Sequence, residues 1–318
     1  MPESPEPPPA TPAIRAQPVR WPAPPDAAGF MRAALGSALD QVQANAQALA
    51  GGQGDEETVH QLRVGLRRLR SLLRDCAALV PGWPATWQLP LQHAFARLGA
   101  LRDEHTLAGV VEPLLQAAGA PGVAKAGAPL TGATAPDAAA PDAAGPDATA
   151  LDASAPDAAA VVLAPDFQLA LAALALLVRG DEGFATLSPR RTRQLLARRL
   201  ARLHRQVMRA GRHFHRLPVQ EQHRVRKRLK RLRYLAELCA PLWPGKTGRR
   251  YLRALEPAQD ALGLHNDIAV AAERLRATAS CDARAWFAAG YLQAHLATTG
   301  RAGRKALGRV AGTPVFWA

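Results

Sequence analysis

The chain has 318 residues and a formal net charge of +14 at neutral pH. So basic a protein favours an anionic partner, such as a nucleic acid, a polyphosphate or an anionic surface. The three cysteines form neither a paired framework nor a CxxC motif, which argues against a disulfide-rich secreted protein. No signal peptide is recognisable, and the most apolar run, residues 169–178, is too short to cross a bilayer. The sequence therefore predicts a soluble, cytoplasmic protein without membrane contact.

Leucine and alanine recur at helical spacing through most of the chain, with almost no alternation of β-branched residues, which predicts an all-α protein. Residues 1–27 are rich in proline and are predicted to be a disordered tail, and residues 311–318 are predicted to be a second tail. The predicted helices span residues 28–50, 55–79, 86–116, 166–180, 189–215, 219–239, 247–279 and 283–309.

A low-complexity segment from 117 to 164 interrupts this pattern. Its five aspartates recur every five residues, and four of them follow a proline: Asp137, Asp142, Asp147, Asp152 and Asp157. This period matches neither a helix nor a strand, so the segment is predicted to be a flexible acidic linker. We hypothesise that its aspartates compete with an anionic ligand, in which case deleting residues 131–160 tightens binding.

The second predicted helix carries what we call the first basic row. His60, Arg63, Arg67, Arg70 and Arg74 follow one another at steps of three and four, so they lie within about 80° of one another on the helix. Leucines occupy the other side. A solvated basic face shows this pattern too, but like charges four residues apart repel by a few tenths of a kcal/mol per pair. The row is therefore mildly unfavourable unless an anion binds it.

The same pattern recurs 163 residues later, as the second basic row. Its members, with Lys227 at its flank, are His223, Arg226, Lys230 and Arg233. The segments LGALRD (98–103) and LGLHND (262–267) repeat at an offset of 164. Chance explains these matches poorly. The sequence therefore predicts an internal duplication that gives two pseudo-symmetric four-helix bundles, at 28–180 (with the 117–164 insertion) and 181–310.

A third basic row lies on the helix before the second row. Its members step by three and four residues opposite a row of leucines: Arg202, Arg205, Arg209 and Arg212. Thirty-five of the 40 cationic residues of the chain are arginines, whose planar fork suits phosphate oxygens. GC-rich coding also raises the number of arginines, but it does not explain where they lie. If the two halves face each other, the rows merge into one channel.

His60 and His223 begin the first two rows at matched positions. Each is either an ordinary, partly buried histidine or a donor beside an anion. Neither has a second histidine or cysteine at helical spacing, so no metal site is predicted. Asp103 and Asp267 also match, and each either caps a local turn, the role we favour, or fixes an arginine by an ion pair.

The sequence lacks the motifs that catalysis on phosphates requires. Outside the linker no cluster of carboxylates could hold catalytic metal ions, and no GxxxxGK[ST] loop or GxSxG turn occurs. We therefore expect a binding protein that is not an enzyme and needs no cofactor.

The stretch HQLRVGLRRLR, its repeat HRVRKRLKRLRY and the segments LGALRD and LGLHND resemble the CHAD domain, named for conserved histidines in an α-helical domain. The resemblance covers residues 28–310 apart from the insertion. It implies two four-helix bundles whose basic residues bind inorganic polyphosphate. Some members are fused to a CYTH-type triphosphatase, whose ExExK signature is absent here, so the resemblance is to a stand-alone member. Others associate with polyphosphate or polyhydroxyalkanoate granules, which implies granule-surface proteins as partners.

Carried over position by position, the binding role of the family falls on eight residues: His60, Arg63, Arg67, Arg70, His223, Arg226, Lys230 and Arg233. Helical geometry adds Arg74, Lys227, Arg202, Arg205, Arg209 and Arg212. Asn266 stands where analogy with Arg102 predicts an arginine, which weakens that part of the second half. Nucleic-acid binding without sequence specificity is the alternative, but the rows contain no Phe or Trp on which bases would stack, and Tyr234 is the only ring near one.

Overall fold

The computed structural model of the chain describes residues 12–21, 23–120 and 158–318. Within these residues every regular element is a helix, and all eight predicted helices are present with ends that differ by a few residues. The α-helices are α1 (Ala27–Ala50), α2 (Glu56–Asp75), α3 (Gln88–Ala117), α4 (Ala158–Val162), α5 (Pro165–Arg179), α6 (Pro189–Gly211), α7 (Val219–Cys239), α8 (Thr247–Thr278) and α9 (Ala285–Ala311). In this part of the chain, none of them is long and apolar enough to cross a membrane.

Two local features position α2, the helix that carries the first basic row. The Asp55 carboxylate accepts the Thr58 amide N–H at 2.8 Å, and the Thr58 hydroxyl accepts the Asp55 N–H at 3.2 Å, which forms a capping box. At Gly65 an added Cβ would lie 2.7 Å from Cγ2 of Val42 on α1. Because α1 approaches α2 this closely on its apolar side, the basic row lies on the side of α2 away from α1.

The described residues form two units, which differ from the predicted halves. The first unit contains residues 12–102 and 158–192, and the second contains residues 103–120 and 193–318. α3 is therefore divided between the units, whereas the sequence places it wholly in the first half. The reason is apolar packing, because Val111 near the end of α3 is buried in a cluster with Ile268 and Leu292 of the second unit.

The segment before α1 is part of the first unit, which corrects the prediction of a disordered tail for residues 14–21. The Ile14 N–H donates to Asn45 Oδ1 at 3.1 Å, and Asn45 Nδ2 donates to the Ile14 carbonyl at 2.8 Å. Further along, the Trp21 ring stacks on Phe30 at 5.2 Å. The Ser37 hydroxyl, also on α1, donates to the Gln17 carbonyl at 2.8 Å, so two polar side chains of α1 fix this irregular stretch.

The end of the predicted linker is also ordered. Residues 158–162 form α4, whose Val161 and Val162 are buried in the first unit. The change follows the sequence, since the repeated prolines stop at Pro156 and AAAVV follows. The remaining linker prediction, with its five aspartates, falls on residues 121–157, which lie outside the described residues.

The chain end beyond α9 belongs to the core of the second unit and is not a loose tail. Phe316 and Trp317 are each only 7% exposed. The Trp317 ring meets Tyr251 edge to face at 4.9 Å, and Phe316 meets Trp243 at 5.6 Å. Two large apolar rings gain more from burial than the short segment loses in conformational freedom.

Candidate anion-binding site

The first basic row changes character along α2. Arg63 is 4% exposed, and its Nη1 donates a hydrogen bond to the Leu98 carbonyl of α3 at 3.0 Å. The other members are partly or fully exposed: His60, Arg67, Arg70 and Arg74. The buried arginine therefore holds α2 against α3, and the surface that a ligand reaches is formed by the later arginines.

Three guanidinium groups of the first row surround one aromatic ring. The Cζ atoms of Arg63, Arg67 and Arg70 lie 5.1, 5.4 and 5.2 Å from the centre of the Phe95 ring. The ring is 3% exposed, so these cation–π contacts are partly desolvated, where each is worth about 1–2 kcal/mol. Phe95 thus stabilises three guanidinium groups that would otherwise repel one another.

The LGALRD segment has a physical role in this arrangement. Its leucine, Leu98, supplies the carbonyl that receives Arg63, and at Gly99 an added Cβ would lie 3.4 Å from both Nη atoms of Arg63. The Arg63 guanidinium therefore packs directly against the backbone of α3 at this glycine. Sequence reasoning did not single out Phe95, and the only available signal was its place one turn before this glycine on the same helix.

In the second unit, the LGLHND segment of α8 contacts the start of the second row. His223 Nδ1 lies 2.7 Å from Asn266 Oδ1, and Arg226 Nη2 lies 4.0 Å from Asp267 Oδ1. Asp267 lies inside α8, so the favoured role of capping a turn is wrong and its carboxylate instead lies beside an arginine. Asn266 orients the matched histidine, because a carbonyl oxygen at Nδ1 accepts an N–H from that nitrogen.

Carboxylates surround the end of the second row. Arg233 Nε donates to Glu237 Oε1 at 2.6 Å, and its Nη1 donates to Gln259 Oε1 at 2.5 Å. The carboxylate of Glu256 lies 3.8 Å from Nη2. Any anion at Arg233 competes with these groups, whereas Lys227 and Lys230, which are partly exposed, lie nearer the middle of α7.

The third basic row is the most open of the three. Its four arginines are all exposed, three of them on α6 and Arg212 directly after its end. They lie opposite Leu196, Leu200 and Leu203, which are at most 1% exposed. None of the four guanidinium groups has a hydrogen bond or an ion pair with a described residue. The row is about 15 Å long, since ten residues of helix separate its ends. Two of its members also line a groove with Arg228, which belongs to no predicted row.

A buried histidine of α8 links α7, α8 and α9 through hydrogen bonds. His265 is 3% exposed, its Nε2 lies 2.9 Å from Gln222 Oε1, and its Nδ1 lies 2.8 Å from the Thr299 hydroxyl. Burial lowers the pKa of His265, so the ring is neutral at physiological pH. Because Gln222 Oε1 can only accept, the neutral ring donates from Nε2 and presents Nδ1 as an acceptor to the Thr299 hydroxyl.

Candidate metal ligands do not cluster in the described ranges 12–21, 23–120 and 158–318, where no three His, Cys, Asp or Glu side chains are grouped around a common point. Cys76 and Cys239, at matched positions after α2 and at the end of α7, are fully buried. They are small core residues.

Comparison with known proteins identifies the family of this chain. The family model of the CHAD domain matches residues 33–276. The crystal structure of the CHAD domain from the plant Ricinus communis is similar to this chain with a TM-score of 0.67 and 27% sequence identity, over 93% of this chain and 96% of that chain. No curated protein matches the sequence. Because the family model spans well over half of the residues, the chain belongs to the CHAD domain family.

Proposed function

We propose that this chain binds inorganic polyphosphate on its basic helix faces, without catalysing a reaction. We also infer that an internal duplication produced the matched first and second rows and gave two four-helix bundles. A protein with this function acts in the cytoplasm where polyphosphate accumulates, including the surface of polyphosphate or polyhydroxyalkanoate granules.

The observation that carries the proposal is the third basic row. Arg202, Arg205, Arg209 and Arg212 are exposed, and no described side chain neutralises them. Four cations along about 15 Å of helix, with no interleaved acid, repel one another unless an anion binds. A linear phosphate polymer offers regularly spaced anionic oxygens along such a row.

The first row adds a second concentration of charge, in which Phe95 supports Arg67 and Arg70 beside the buried Arg63. Guanidinium groups bind phosphate oxygens through two parallel N–H donors, and rings behind them hold the forks in place. The basic rows carry no Phe or Trp that could stack on bases, which favours a phosphate-only polymer over single-stranded nucleic acid. Resemblance to the CHAD family points to the same ligand.

The test is a titration of the full chain with long-chain polyphosphate and with DNA of equal charge, each at several salt concentrations. The test variant replaces four arginines with glutamine: Arg67, Arg70, Arg202 and Arg205. A control variant removes the same charge from exposed positions outside the rows: Arg249, Arg253, Arg304 and Arg309.

We expect polyphosphate to bind more tightly than DNA at every salt concentration. The test variant should lower the slope of log K against log salt by about 0.7 for each lost phosphate contact, as for single-stranded polyanions. The control should keep most of the affinity. Equal binding of DNA, or equal losses in the two variants, would show that net charge alone attracts the polymer and would overturn the proposal.

A further inference from the structure

The end of α6, the residues that follow it and the middle of α7 line an open groove in the second unit. Its volume is about 630 Å³, and its polar lining consists of Gln206, Arg209, Arg212, His213 and Arg228. This volume falls in the range of roughly 300–1,000 Å³ that small-ligand sites occupy. The groove is thus large enough for several linked phosphate groups and is not a gap between two side chains.

The charge of the lining favours an anion. Three guanidinium groups reach the groove, and no carboxylate lines it. Among the described residues, none of these three guanidinium groups has a hydrogen bond or an ion pair. The contrast with nearby arginines is direct, since Arg224 pairs with Glu221 and Arg233 pairs with Glu237.

The position of α6 explains only part of this cluster. Cations near the C-terminal end of a helix are favoured by its dipole, which accounts for Arg209 and Arg212 next to Gly211. Arg228 has no such reason to be there, because it lies in the interior of α7. It also lies about 200° around the helix from Arg226, so it is on the opposite side of α7 from the second basic row.

We propose that this groove is a discrete binding site for a short oligophosphate. Arg209 and Arg212 bind phosphate oxygens from the α6 side, Arg228 binds them from the α7 side, and Gln206 and His213 add neutral donors. The inference rests on the proposed function in one respect, because the third basic row runs along α6 into the groove. The triphosphate group is the shared chemistry of two sources, a free oligophosphate chain and a nucleotide.

The experiment is calorimetric titration of the full chain with tripolyphosphate and, separately, with ATP. The test variant is Arg212→Gln/Arg228→Gln, and the matched control is Arg249→Gln/Arg253→Gln, which removes the same charge from exposed positions of α8 outside the groove. Circular dichroism and thermal unfolding check that both variants fold. The imidazole NMR signal that disappears in His213→Gln reports occupancy of the groove itself.

We expect tripolyphosphate to shift the His213 signal and to bind at least about tenfold more weakly to the test variant, because two charged hydrogen-bonding partners are lost. The control should change affinity little. If ATP binds as tightly as tripolyphosphate, the groove recognises only the triphosphate group. If ATP binds more weakly, the ligand of the groove is a free oligophosphate chain. An unshifted His213 signal, equal losses in the two variants, or binding of ATP without tripolyphosphate would each overturn the proposal.

Long-chain polyphosphate, titrated in parallel, separates this proposal from the function on which it rests. If the long chain binds but tripolyphosphate does not occupy the groove, the groove proposal fails and the proposed function stands. If neither binds, both fail.

Discussion

The Cζ atom of Arg63 lies 5.1 Å from the centre of the Phe95 ring, and the same arginine donates a hydrogen bond to the carbonyl of Leu98. The ring and the carbonyl lie one turn apart on α3, so this helix orients the guanidinium from two directions. Arg67 and Arg70 then meet the same ring from further along α2. The first basic row is therefore fixed at its buried base and open at its later positions.

Replacing Phe95 with leucine should weaken both the fold and the row. We expect a loss of about 1–3 kcal/mol in the free energy of unfolding, from a smaller apolar side chain and lost cation–π contacts. Urea unfolding measures the stability, and polyphosphate titration measures the row. Phe167→Leu is the matched control, since this ring is equally buried in the first unit without a cation over it. If the control lowers polyphosphate affinity as much, the ring has no special role in binding.

Replacing Glu237 with glutamine should tighten polyphosphate binding. Glu237 accepts a hydrogen bond from Arg233 Nε, so its charge competes with any phosphate there. A partly exposed ion pair of this kind is worth up to about 1 kcal/mol, which corresponds to about a two- to fivefold gain in affinity. Glu273→Gln, an exposed change on α8, alters the net charge equally. The same gain in both variants would mean that only net charge matters.

Shortening the acidic insertion should also tighten binding. The deletion of residues 131–160 that the sequence suggests would cut into α4, so it should end at residue 156. If the aspartates compete for the basic rows, the deletion raises polyphosphate affinity at low salt, and the gain fades as salt screens the charges. A chain of full length with the five aspartates changed to asparagine should show the same gain. An unchanged affinity in both would exclude competition.

The stability of the second unit should fall in mild acid. Burial lowers the pKa of His265, so below about pH 6.5 the unfolded chain binds more protons than the folded one. The stabilisation is complete above that pH and is lost as the pH falls towards the folded pKa. His265→Gln should make the melting temperature less dependent on pH between 5 and 7. Burial lowers the pKa of His204 and His215 as well, so some dependence will remain. An unchanged pH profile in the variant would contradict this assignment.

Removing the Trp317 indole should lower the free energy of unfolding. Trp317 is 7% exposed and packs against Tyr251, so Trp317→Ala should lower the free energy of unfolding by about 3–5 kcal/mol. Trp286 is 58% exposed, and Trp286→Ala should change stability by no more than about 0.5 kcal/mol. Urea unfolding of both variants compares them directly. Similar small effects would mean that the end of the chain is dispensable.

The helices were predictable because their signals are local. Leucine and alanine at helical spacing, together with the Pro and Gly between helices, place α1 to α3 and α5 to α9 to within a few residues. Three ordered features were not predictable: the segment around Ile14 before α1, the short α4 and the buried Trp317. Each depends on a partner far away in the sequence. A proline-rich or short terminal segment gives no sign of what it packs against.

The candidate site also has features that the sequence predicts and features that it does not. Helical periodicity defines which arginines share a face, but not which groups lie across from that face. The burial of Arg63 and the ring of Phe95 come from a neighbouring helix, and so does Glu256 beside Arg233. Glu237 lies one turn after Arg233 on α7 itself. Arg228 was missed for a related reason, since it lies off every row and meets Arg209 and Arg212 only at the groove that all three line.

The division of α3 has a consequence for dissecting or transplanting this protein. α3 is one continuous helix, yet its second half packs in a different unit from its first. A fragment that starts near residue 181 lacks Val111 and leaves Ile268 and Leu292 uncovered, so it should aggregate on expression. A working module of the second unit needs residues 103–117 restored, by co-expression or by circular permutation. The halves defined by the matching sequence segments therefore do not coincide with the two compact units.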